Sequence, residues 1–300
     1  MEKVVAIVNP SAARLRGRRE RERILGALRT VFPGLALRES GGRGAIAESA
    51  RAAADADLVL AVGGDGTVSE AAAALAGGSA ALGIVPAGAG DDFARAAGIP
   101  RAPLAACLVA REGRTRAVDL GAASWEGEEG ARRANFINIA GLGFDARVAA
   151  ARRRFPRLRG LPLYLAAVLS ALRHWESAPA RIRVAGREIE RRVLLVAAAN
   201  GSRFGGGLRI APEARFDDGL LDLCIVAALS PRAAVCGFAS LLRGTHVHRK
   251  EFELVRAPAA EIDFVPGMPC QFDGEVVAPA GARRLRFEVR PGAVRLRVGA

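Results

Sequence analysis

The sequence predicts two domains: an α/β N-terminal domain with a parallel sheet, followed by a mainly antiparallel β-sandwich C-terminal domain. The length of 300 residues suits about two domains of roughly 150 residues each. The first 120 residues alternate short apolar runs with helical patterns, whereas the later segments are strand-like with few helices between them. This change of texture predicts domains over 1–122 and 123–300, with the last strands able to return to the first domain.

In the N-terminal domain, short apolar runs indicate strands and amphipathic spacing indicates helices. The predicted strands are Val4 to Val8, Leu35 to Leu37, Leu58 to Val62 and Leu82 to Val85. The predicted helices are Gly17 to Val31, Gly44 to Ala54, Thr67 to Leu75, Asp91 to Ala97 and Leu104 to Arg111. Strands that alternate with helices imply a parallel sheet that is covered on both faces.

In the C-terminal domain, a charged turn over Trp125 to Arg133 precedes a series of strands. The predicted strands are Asn135 to Ala140, Arg181 to Val184, Val193 to Ala198, Leu220 to Val226, Glu251 to Val255, Glu261 to Phe264, Arg284 to Val289 and Ala293 to Val298. Such a series is typical of an antiparallel sandwich.

Composition and charge restrict the class of protein. Half the residues (51%) are hydrophobic and 25% are charged, which excludes a largely disordered chain. We expect no membrane-spanning helix and no signal peptide, because long apolar runs are lacking and the N-terminus is typical of a buried strand. The four cysteines lie far apart, which indicates reduced core thiols in a cytoplasmic protein. The net charge of +13 favours anionic partners; nucleic acid is disfavoured because zinc-finger spacing and interleaved aromatic residues are absent.

The strongest functional motif is Gly-Gly-Asp-Gly-Thr at 63–67, between a predicted strand and a predicted helix. Three glycines let the backbone approach a phosphate closely, and the helix N-terminus directs N–H groups at the anion. We predict that Thr67 caps this helix and that Glu70 completes a capping box. An ordinary strand-to-helix turn is the alternative, but such a turn needs one glycine rather than three around an acid. The motif is neither a P-loop nor a Rossmann fingerprint.

A second glycine-rich loop, Pro86 to Gly90, follows the next predicted strand and leads into Asp91 and Asp92. Both loops follow strands of one parallel sheet, so both should open at its carboxyl edge, where ligands bind. Taken alone, the two acids are also consistent with ordinary charges at a helix N-terminus.

Two further motifs lie in the C-terminal domain and are weak individually, because Asp-Gly pairs are common in turns. One runs from Asn200-Gly201 through the glycines at 205–207 to the turn Asp217-Asp218-Gly219. The other is Phe272-Asp273-Gly274-Glu275, which sets two acids on a tight turn late in the chain.

Together these motifs resemble those of the diacylglycerol kinase-like lipid kinases, which include the bacterial soluble diacylglycerol kinases and, more distantly, sphingosine and ceramide kinases. The resemblance runs nearly from end to end. It also rests on Val8-Asn9-Pro10-Ser11, on Val-Asp-Leu-Gly at 118–121, on Asn-Ile-Ala-Gly-Leu-Gly-Phe-Asp at 138–145 and on Asp-Asp-Gly-Leu-Leu-Asp at 217–222. The 63–67 motif alone is shared with NAD kinases and phosphofructokinase-like enzymes, whereas the ordered set is far more specific.

The resemblance implies that ATP binds in the cleft between the two domains, with the 63–67 motif around its phosphates, and that a lipid hydroxyl attacks the γ-phosphate. The residues that it implies in ATP binding are Asn9, Ser40, Gly63, Gly64, Asp65, Gly66, Thr67, Val68, Ser69, Glu70, Ala89 and Asp92. It implies that Asp145 binds the lipid substrate.

The resemblance also implies the catalytic and metal-binding groups. Asp273, with Glu275 beside it, matches the general base; a carboxylate can take the hydroxyl proton while Mg²⁺ offsets the phosphate charge. In sphingosine kinases the base is instead the acid of the glycine-rich motif, here Asp65; we favour Asp273. A structural Mg²⁺ is implied at hard oxygen ligands, namely the Asp218 carboxylate and the backbone carbonyls of Arg215 and Leu220.

Two departures from the family pattern affect the expected ATP contacts. The usual Gly-Thr-x-Asn-Asp-Phe is Gly-Ala-Gly-Asp-Asp-Phe at 88–93, so Ala89 lacks a hydroxyl and Asp91 replaces a neutral amide by an acid. The basic residue usual after the first Asn-Pro is represented only loosely, by Arg14 or Arg16.

We therefore expect an ATP-dependent lipid kinase, with diacylglycerol as the leading acceptor and phosphatidic acid as the product. Ceramide, a sphingoid base and phosphatidylglycerol are alternative acceptors. An NAD kinase-like enzyme acting on a soluble nucleotide and a lipid-binding protein without catalysis are alternative functions. The presence of Asp65, Asp218, Asp273 and Glu275 opposes the last.

We also expect peripheral attachment to an anionic membrane through residues 152–172. The segment has no acid and contains the arginines Arg152, Arg153, Arg154, Arg157 and Arg159. One face of a predicted helix then carries Leu161, Leu165, Val168, Leu169 and Leu172. Basic residues near an anionic surface attract it. A core-facing helix after a solvated basic loop is the alternative, and the sequence leaves a homodimer open.

Overall fold

A computed structural model of the chain describes residues 2–42, 44–128, 130–158 and 160–299. They form two compact units. Unit 1 comprises Met1–Leu120 with Pro291–Ala300, and unit 2 comprises Gly121–Arg290. The boundary thus lies between residues 120 and 121, and the last segment of the chain belongs to unit 1.

Unit 1 contains a parallel sheet built from the apolar runs. Its strands are β1 (Val4–Val8), β2 (Ala36–Glu39), β3 (Leu58–Gly63) and β4 (Ala81–Pro86). Their order is β2-β1-β3-β4, and a later segment adds a parallel neighbour to β4, with Arg295 opposite Ala81. Because β1, β3 and β4 are buried along their whole length, they are apolar at every position rather than at alternate ones.

The helices of unit 1 alternate with these strands. They are α1 (Arg18–Val31), α2 (Ala45–Arg51), α3 (Asp65–Leu75), α4 (Asp92–Ala96) and α5 (Pro103–Glu112). In α1 the buried residues Ile24, Leu28 and Val31 recur at helical spacing, so one face packs inward and the arginines face solvent.

The predicted capping box on α3 is wrong. The helix begins at Asp65, with extended Gly64 as its N-cap and no side-chain cap. Thr67 therefore lies inside the first turn, where its Oγ1 accepts a hydrogen bond from Asn9 Nδ2. The Glu70 carboxylate accepts instead from the backbone N–H of Ala47, at the start of α2.

Unit 2 is built from antiparallel strand pairs. Its strands are β5 (Arg114–Gly127), β6 (Gly130–Phe136), β7 (Ile139–Gly143), β8 (Ala178–Val184), β9 (Arg187–Ala199), β10 (Leu221–Ala227), β11 (Phe252–Ala257), β12 (Ala259–Phe264), β13 (Cys270–Phe272), β14 (Glu275–Val277) and β15 (Arg284–Val298). The order β14-β13-β7-β9-β8-β12-β15 forms one path; β10 joins β9 to β11, and β5 pairs with β6. Both β5 and β15 cross the unit boundary along the chain.

Helices of unit 2 cover one face of this sheet. They are α6 (Phe144–Ala151), α7 (Gly160–Ala171) and α8 (Pro231–Arg243). Alternate residues of β9 enter two cores: Val193, Val196 and Ala198 pack in one, and residues such as Leu194 and Ala197 pack in the other with α6 and α7. Within the described residues, no helix is long and apolar enough to cross a membrane.

The predicted fold class is confirmed, but several predicted elements of unit 2 are wrong. The expected turn over 125–133 is a hairpin of β5 and β6. The single strand expected over 135–140 is interrupted between Phe136 and Ile139. The backbone N–H groups there donate to the Asp273 carboxylate instead of to a neighbouring strand. Helix α8 was missed, although Ser230, which caps it through Oγ, and Gly244, left-handed at its end, are ordinary boundary signals.

Candidate functional site

Four successive loops at the carboxyl edge of the unit 1 sheet bring the predicted phosphate-binding residues together. Asn9 follows β1, Ser40 follows β2, Gly63 ends β3 and Ala89 follows β4. Ligands bind at this edge in open parallel sheets.

Two of the three glycines of the 63–67 motif, Gly63 and Gly64, are enclosed by close contacts. A Cβ on Gly63 would lie 2.2 Å from Thr67 Oγ1, and one on Gly88 would lie 2.5 Å from the Gly64 Cα. The two glycine-rich loops therefore touch through their backbones. A Cβ on Gly66, in contrast, would meet nothing within 4 Å. The start of α3 is thus open to a ligand at Gly66, where the N–H groups of a helix N-terminus favour an anion.

Three acids surround the second loop. Asp65 Oδ1 accepts a hydrogen bond of 3.0 Å from the backbone N–H of Phe93, at the start of α4. Asp91 is left-handed (φ 54°), and its Oδ1 accepts from the N–H of Gly88 at 2.8 Å. Burial, and then the neighbouring Asp65, raise the pKa of Asp91. A Cβ on Gly90 would lie 3.4 Å from both Asp65 Oδ2 and Asp92 Oδ2, so these two carboxylates converge.

Two arginines brace this loop. Arg14 Nη1 donates to the carbonyls of Pro86 (2.7 Å) and Arg101 (2.9 Å), while its other nitrogens bind Glu20. Arg101 Nε lies 3.3 Å from Asp91 Oδ2, and its Nη2 donates to the Gly88 carbonyl. Arg101 therefore balances the acid that replaces the usual amide at position 91. Sequence reasoning missed Arg101, since nothing local distinguishes it from the other arginines.

The remaining predicted ATP-binding residues lie around the same edge with their own partners. Ser40 Oγ donates to the Ala45 carbonyl, and Ser49 Oγ donates to Ser40 Oγ, so this side chain organises the start of α2. Val68 is buried in α3, whereas Ser69 is half-buried. The Ser40 contacts therefore join the loop after β2 to α2.

In unit 2 the carboxylate of Asp273 holds a loop of backbone amides. It accepts hydrogen bonds from the N–H groups of Ile137 (2.7 Å), Asn138 (3.0 Å) and Ile139 (2.8 Å). Asp273 itself is left-handed (φ 48°), and its N–H donates to the Ile139 carbonyl. This carboxylate explains the interruption between β6 and β7. Glu275, two residues on, is exposed.

Two weak sequence motifs meet at this loop. The N–H groups of Asn200 and Gly201 both donate to the Asn138 carbonyl, and Asn200 Nδ2 donates to the Ile137 carbonyl. A Cβ on Gly201 would lie 2.2 Å from Asn138 Oδ1. Segments that lie more than sixty residues apart are thereby fixed around the Asp273 turn.

Gln271, which sequence reasoning missed, connects Asp145 to the backbone of Gly274, the residue after Asp273. Its Oε1 accepts from the N–H of Gly274 (2.7 Å), and its Nε2 donates to Asp145 Oδ2 (3.0 Å). Asp145 is only 5% exposed, and its Oδ1 has no hydrogen-bond partner in the part of the chain that the structure describes. Burial raises the pKa of Asp145 to about 6.

Asp145 borders an apolar pocket of about 170 Å³ within unit 2. The walls come from α6, α7, α8 and the outer face of β9, and include Phe144, Tyr164, Val168, Trp175, Leu241 and Phe252. Among the described residues of the lining, Asp145 is the one acid or base. A pocket of this kind, mostly apolar with one polar group, suits an apolar ligand with a hydroxyl at one end.

Of the groups expected to hold a structural Mg²⁺, the Asp218 carboxylate already has partners within the chain. Asp218 Oδ1 accepts from the N–H of Leu220 (3.1 Å), and Asp218 Oδ2 is ion-paired with Arg256 Nη2. Arg256 Nε also lies 3.5 Å from Asp222, whose pKa is raised to about 6 by burial. A guanidinium thus already supplies the positive charge here, and Arg215 pairs with Asp217. Among the described residues, no three His, Cys, Asp or Glu side chains converge as metal ligands do.

Comparisons with known proteins identify the family of the chain. A family model described as "Diacylglycerol kinase catalytic domain" matches residues 3–123, and one described as "YegS C-terminal NAD kinase beta sandwich-like domain" matches residues 138–298. A Pseudomonas aeruginosa (strain UCBPP-PA14) protein named "Probable lipid kinase YegS-like" is 36% identical over 224 residues, which cover 74% of this chain and 70% of the relative.

Two further comparisons extend this result. A Mycobacterium tuberculosis (strain CDC 1551 / Oshkosh) protein named "Diacylglycerol kinase" is 35% identical over 205 residues, which cover 67% of this chain and 64% of the relative. The crystal structure of a diacylglycerol kinase from Bacillus anthracis strain Sterne matches with a TM-score of 0.72 at 23% identity, covering 99% of this chain and 97% of that one. The last likeness shows the two-domain fold.

Proposed function

The chain belongs to the diacylglycerol kinase family of lipid kinases, and from that premise we propose that it transfers the γ-phosphate of ATP to the free hydroxyl of diacylglycerol. Phosphatidic acid is then the product. The names of relatives support a lipid acceptor, and one of them is named a diacylglycerol kinase.

The observation that carries this proposal is the connection from the apolar pocket to the Asp273 turn. The pocket ends at Asp145, and Gln271 joins Asp145 to the N–H of Gly274. An acyl chain in the pocket would leave the polar end of the lipid at Asp145, which Gln271 joins to the Gly274 backbone of the Asp273 turn. Burying an acyl chain stabilises the complex by about 0.8 kcal/mol per methylene group, whereas a soluble nucleotide gains nothing from such a pocket.

In unit 1, the open backbone at Gly66 and the N-terminus of α3 support binding of the ATP phosphates. Asp65 and Asp92 supply the hard oxygen ligands that would hold the Mg²⁺ accompanying ATP, which offsets the negative charge of the phosphates. Arg14 and Arg101 hold the second loop in place for this contact.

Asp273 is our proposed general base, and Asp65 is the alternative. The base takes the proton of the lipid hydroxyl as its oxygen bonds to the γ-phosphorus and ADP leaves. The hydrogen bonds of Gln271 support Asp273, because they tie the turn that carries this residue to Asp145 at the pocket.

A panel of acceptors tests the proposal. Purified protein is incubated with labelled ATP, Mg²⁺ and mixed micelles of diacylglycerol, ceramide, sphingosine or phosphatidylglycerol, and with NAD in the absence of lipid. We expect labelled phosphatidic acid as the main product. If another lipid is phosphorylated faster, that lipid and not diacylglycerol is the substrate. Label on NAD alone would refute a lipid acceptor.

A pair of glycine variants tests the pocket itself. Gly237 of α8 lines the pocket, so Gly237→Leu narrows it. We expect kcat/KM to fall at least tenfold for a long-chain diacylglycerol and much less for dihexanoylglycerol. Gly26→Leu is the matched control, because a Cβ on Gly26 of α1 meets nothing within 4 Å. Equal losses of kcat/KM for both acyl chain lengths would mean that the pocket does not bind the acyl chain.

A further inference from the structure

A cluster of exposed arginines precedes α7 in unit 2. We call Arg152, Arg153, Arg154 and Arg157 the basic turn; all four side chains are exposed. In the described part of the chain, no carboxylate lies within ion-pair distance of Arg153, Arg154 or Arg157. Arg159, which was expected to belong to this cluster, lies outside the described residues. Positive charge is therefore concentrated here without local neutralisation.

The basic turn lies beside α7. Arg154 Nη1 is 3.3 Å from Ser170 Oγ, near the end of that helix. Helix α7 buries Tyr164, Ala167 and Ala171, which are mostly small residues. Its large leucines face outward instead: Leu169 is 63% exposed and Leu165 is 40% exposed. The helix thus presents apolar side chains to solvent next to unpaired arginines, and a contiguous apolar patch of this kind indicates an interaction surface.

The same helix forms a wall of the apolar pocket. Its lining includes Val168, Leu172 and the two exposed leucines, Leu165 and Leu169, so these two leucines lie where the pocket opens to solvent. A surface that covers these two leucines therefore lies directly beside the proposed acyl site.

We propose that α7 and the basic turn dock the enzyme on an anionic phospholipid bilayer. The leucines enter the interface, the arginines bind lipid phosphates, and the acyl pocket opens beside these leucines toward the bilayer. Charge complementarity selects this occupant: the segment 152–172 has no acid, so a second copy of the chain in a symmetric contact would set arginines against arginines. The proposal rests on the proposed function, since it explains how an insoluble acceptor reaches the pocket.

Vesicle binding of matched charge variants tests the docking surface. Arg153, Arg154 and Arg157 are replaced together by Gln, leaving Arg152 intact because it lies next to Gly274. The control replaces Arg29, Arg51 and Arg283, which are exposed arginines elsewhere, and has the same net charge. Co-sedimentation with phosphatidylglycerol vesicles is measured at low and at physiological salt. Three arginines at about 1 kcal/mol each correspond to roughly 100-fold weaker binding for the first variant.

We expect the control to bind within about threefold of wild type, and all Tm values to agree within about 2 °C. Leu169→Gln should weaken binding at both salt concentrations, because its contribution is apolar and unscreened. Equal binding by the two triple variants would overturn the proposal. So would a fall in apparent molecular mass for the first variant alone, since this face would then join copies of the chain.

A soluble acceptor separates the two proposals. With dihexanoylglycerol below its micelle concentration, the first triple variant should keep wild-type kcat/KM while losing activity on vesicle-bound diacylglycerol. If wild type phosphorylates neither form, the proposed function fails, and the vesicle-binding result still decides the docking surface. If the variant loses activity equally on both forms, the arginines act within the site and the docking proposal fails.

Discussion

Asp273 combines a structural contact with its proposed chemical role. Three backbone amides donate to its carboxylate, which fixes the loop between β6 and β7. Because these bonds hold the loop in place, any substitution of Asp273 also disturbs the loop. An Asn at this position would direct its amide group at a backbone N–H and lose at least one of the three bonds.

We expect Asp273→Asn to lower kcat by about 10²–10⁴, the usual contribution of a general base, with the KM for ATP changed less than threefold. Steady-state kinetics on mixed micelles measures both, and circular dichroism checks the fold. Asp65→Asn is the comparison. If the Asp273 variant keeps more than a tenth of wild-type kcat, the base is Asp65.

Asp145 predicts a dependence of stability on pH. Its pKa is about 6 in the folded chain against an ordinary 3.8, because the carboxyl is buried. A raised pKa stabilises the folded state fully below about pH 4, and this contribution is lost as the pH rises through 6. A pKa shift of about two units corresponds to about 3 kcal/mol, which is the most that this one group can change the free energy of unfolding.

Asp145→Asn removes the buried charge and keeps an acceptor for Gln271. We therefore expect its Tm, relative to wild type, to rise by several degrees between pH 5 and pH 8. Thermal unfolding across this range measures the difference, and the exposed Asp57→Asn serves as the control. A difference that is constant with pH would mean that folding does not raise the pKa of Asp145.

At the scale of elements, the glycine-rich turn between β3 and α3 is the best-defined part of the site. Gly63 is enclosed by Thr67, whereas Gly66 is open. Gly63→Ala should lower the Tm, because overpacking typically costs about 1–3 kcal/mol, and should also weaken ATP binding. Gly66→Ala should leave the Tm unchanged and raise the Kd for ATP at least tenfold, as measured by calorimetry. Unchanged ATP affinity in the Gly66 variant would place the phosphates elsewhere.

The sequence was most informative where chemistry and local structure coincide. The strand–glycine–helix order of unit 1 could be predicted because buried parallel strands are continuous apolar runs and the glycines mark their ends. Gln271 and Arg101 could not be predicted, because their roles come from partners that are distant in sequence. The start of α3 was placed two residues late, because Gly64 needs no side chain to end the strand.

At the scale of the whole molecule, the pairing of Asp218 with Arg256 predicts folding without a structural divalent cation. We expect the Tm of the wild-type chain to be the same with and without EDTA. Arg256→Gln leaves Asp218 and the buried Asp222 without their cation, and should lower the Tm by roughly 2–4 °C, or about 1 kcal/mol after allowance for the partial exposure of Arg256. Millimolar Mg²⁺ should then restore part of the loss. A fall in the wild-type Tm on chelation would show instead that the chain binds a structural divalent cation.

Because residues 291–300 complete the unit 1 sheet, the order of synthesis matters for this chain. A ribosome adding about 5–20 residues per second makes all of unit 2, residues 121–290, before the partner of β4 emerges. For roughly ten to thirty seconds the edge of β4 is therefore open in a nascent chain, and an unpaired edge of this kind invites pairing with other chains. Co-translational chaperones have most to protect during that interval, and slow translation over unit 2 would lengthen it.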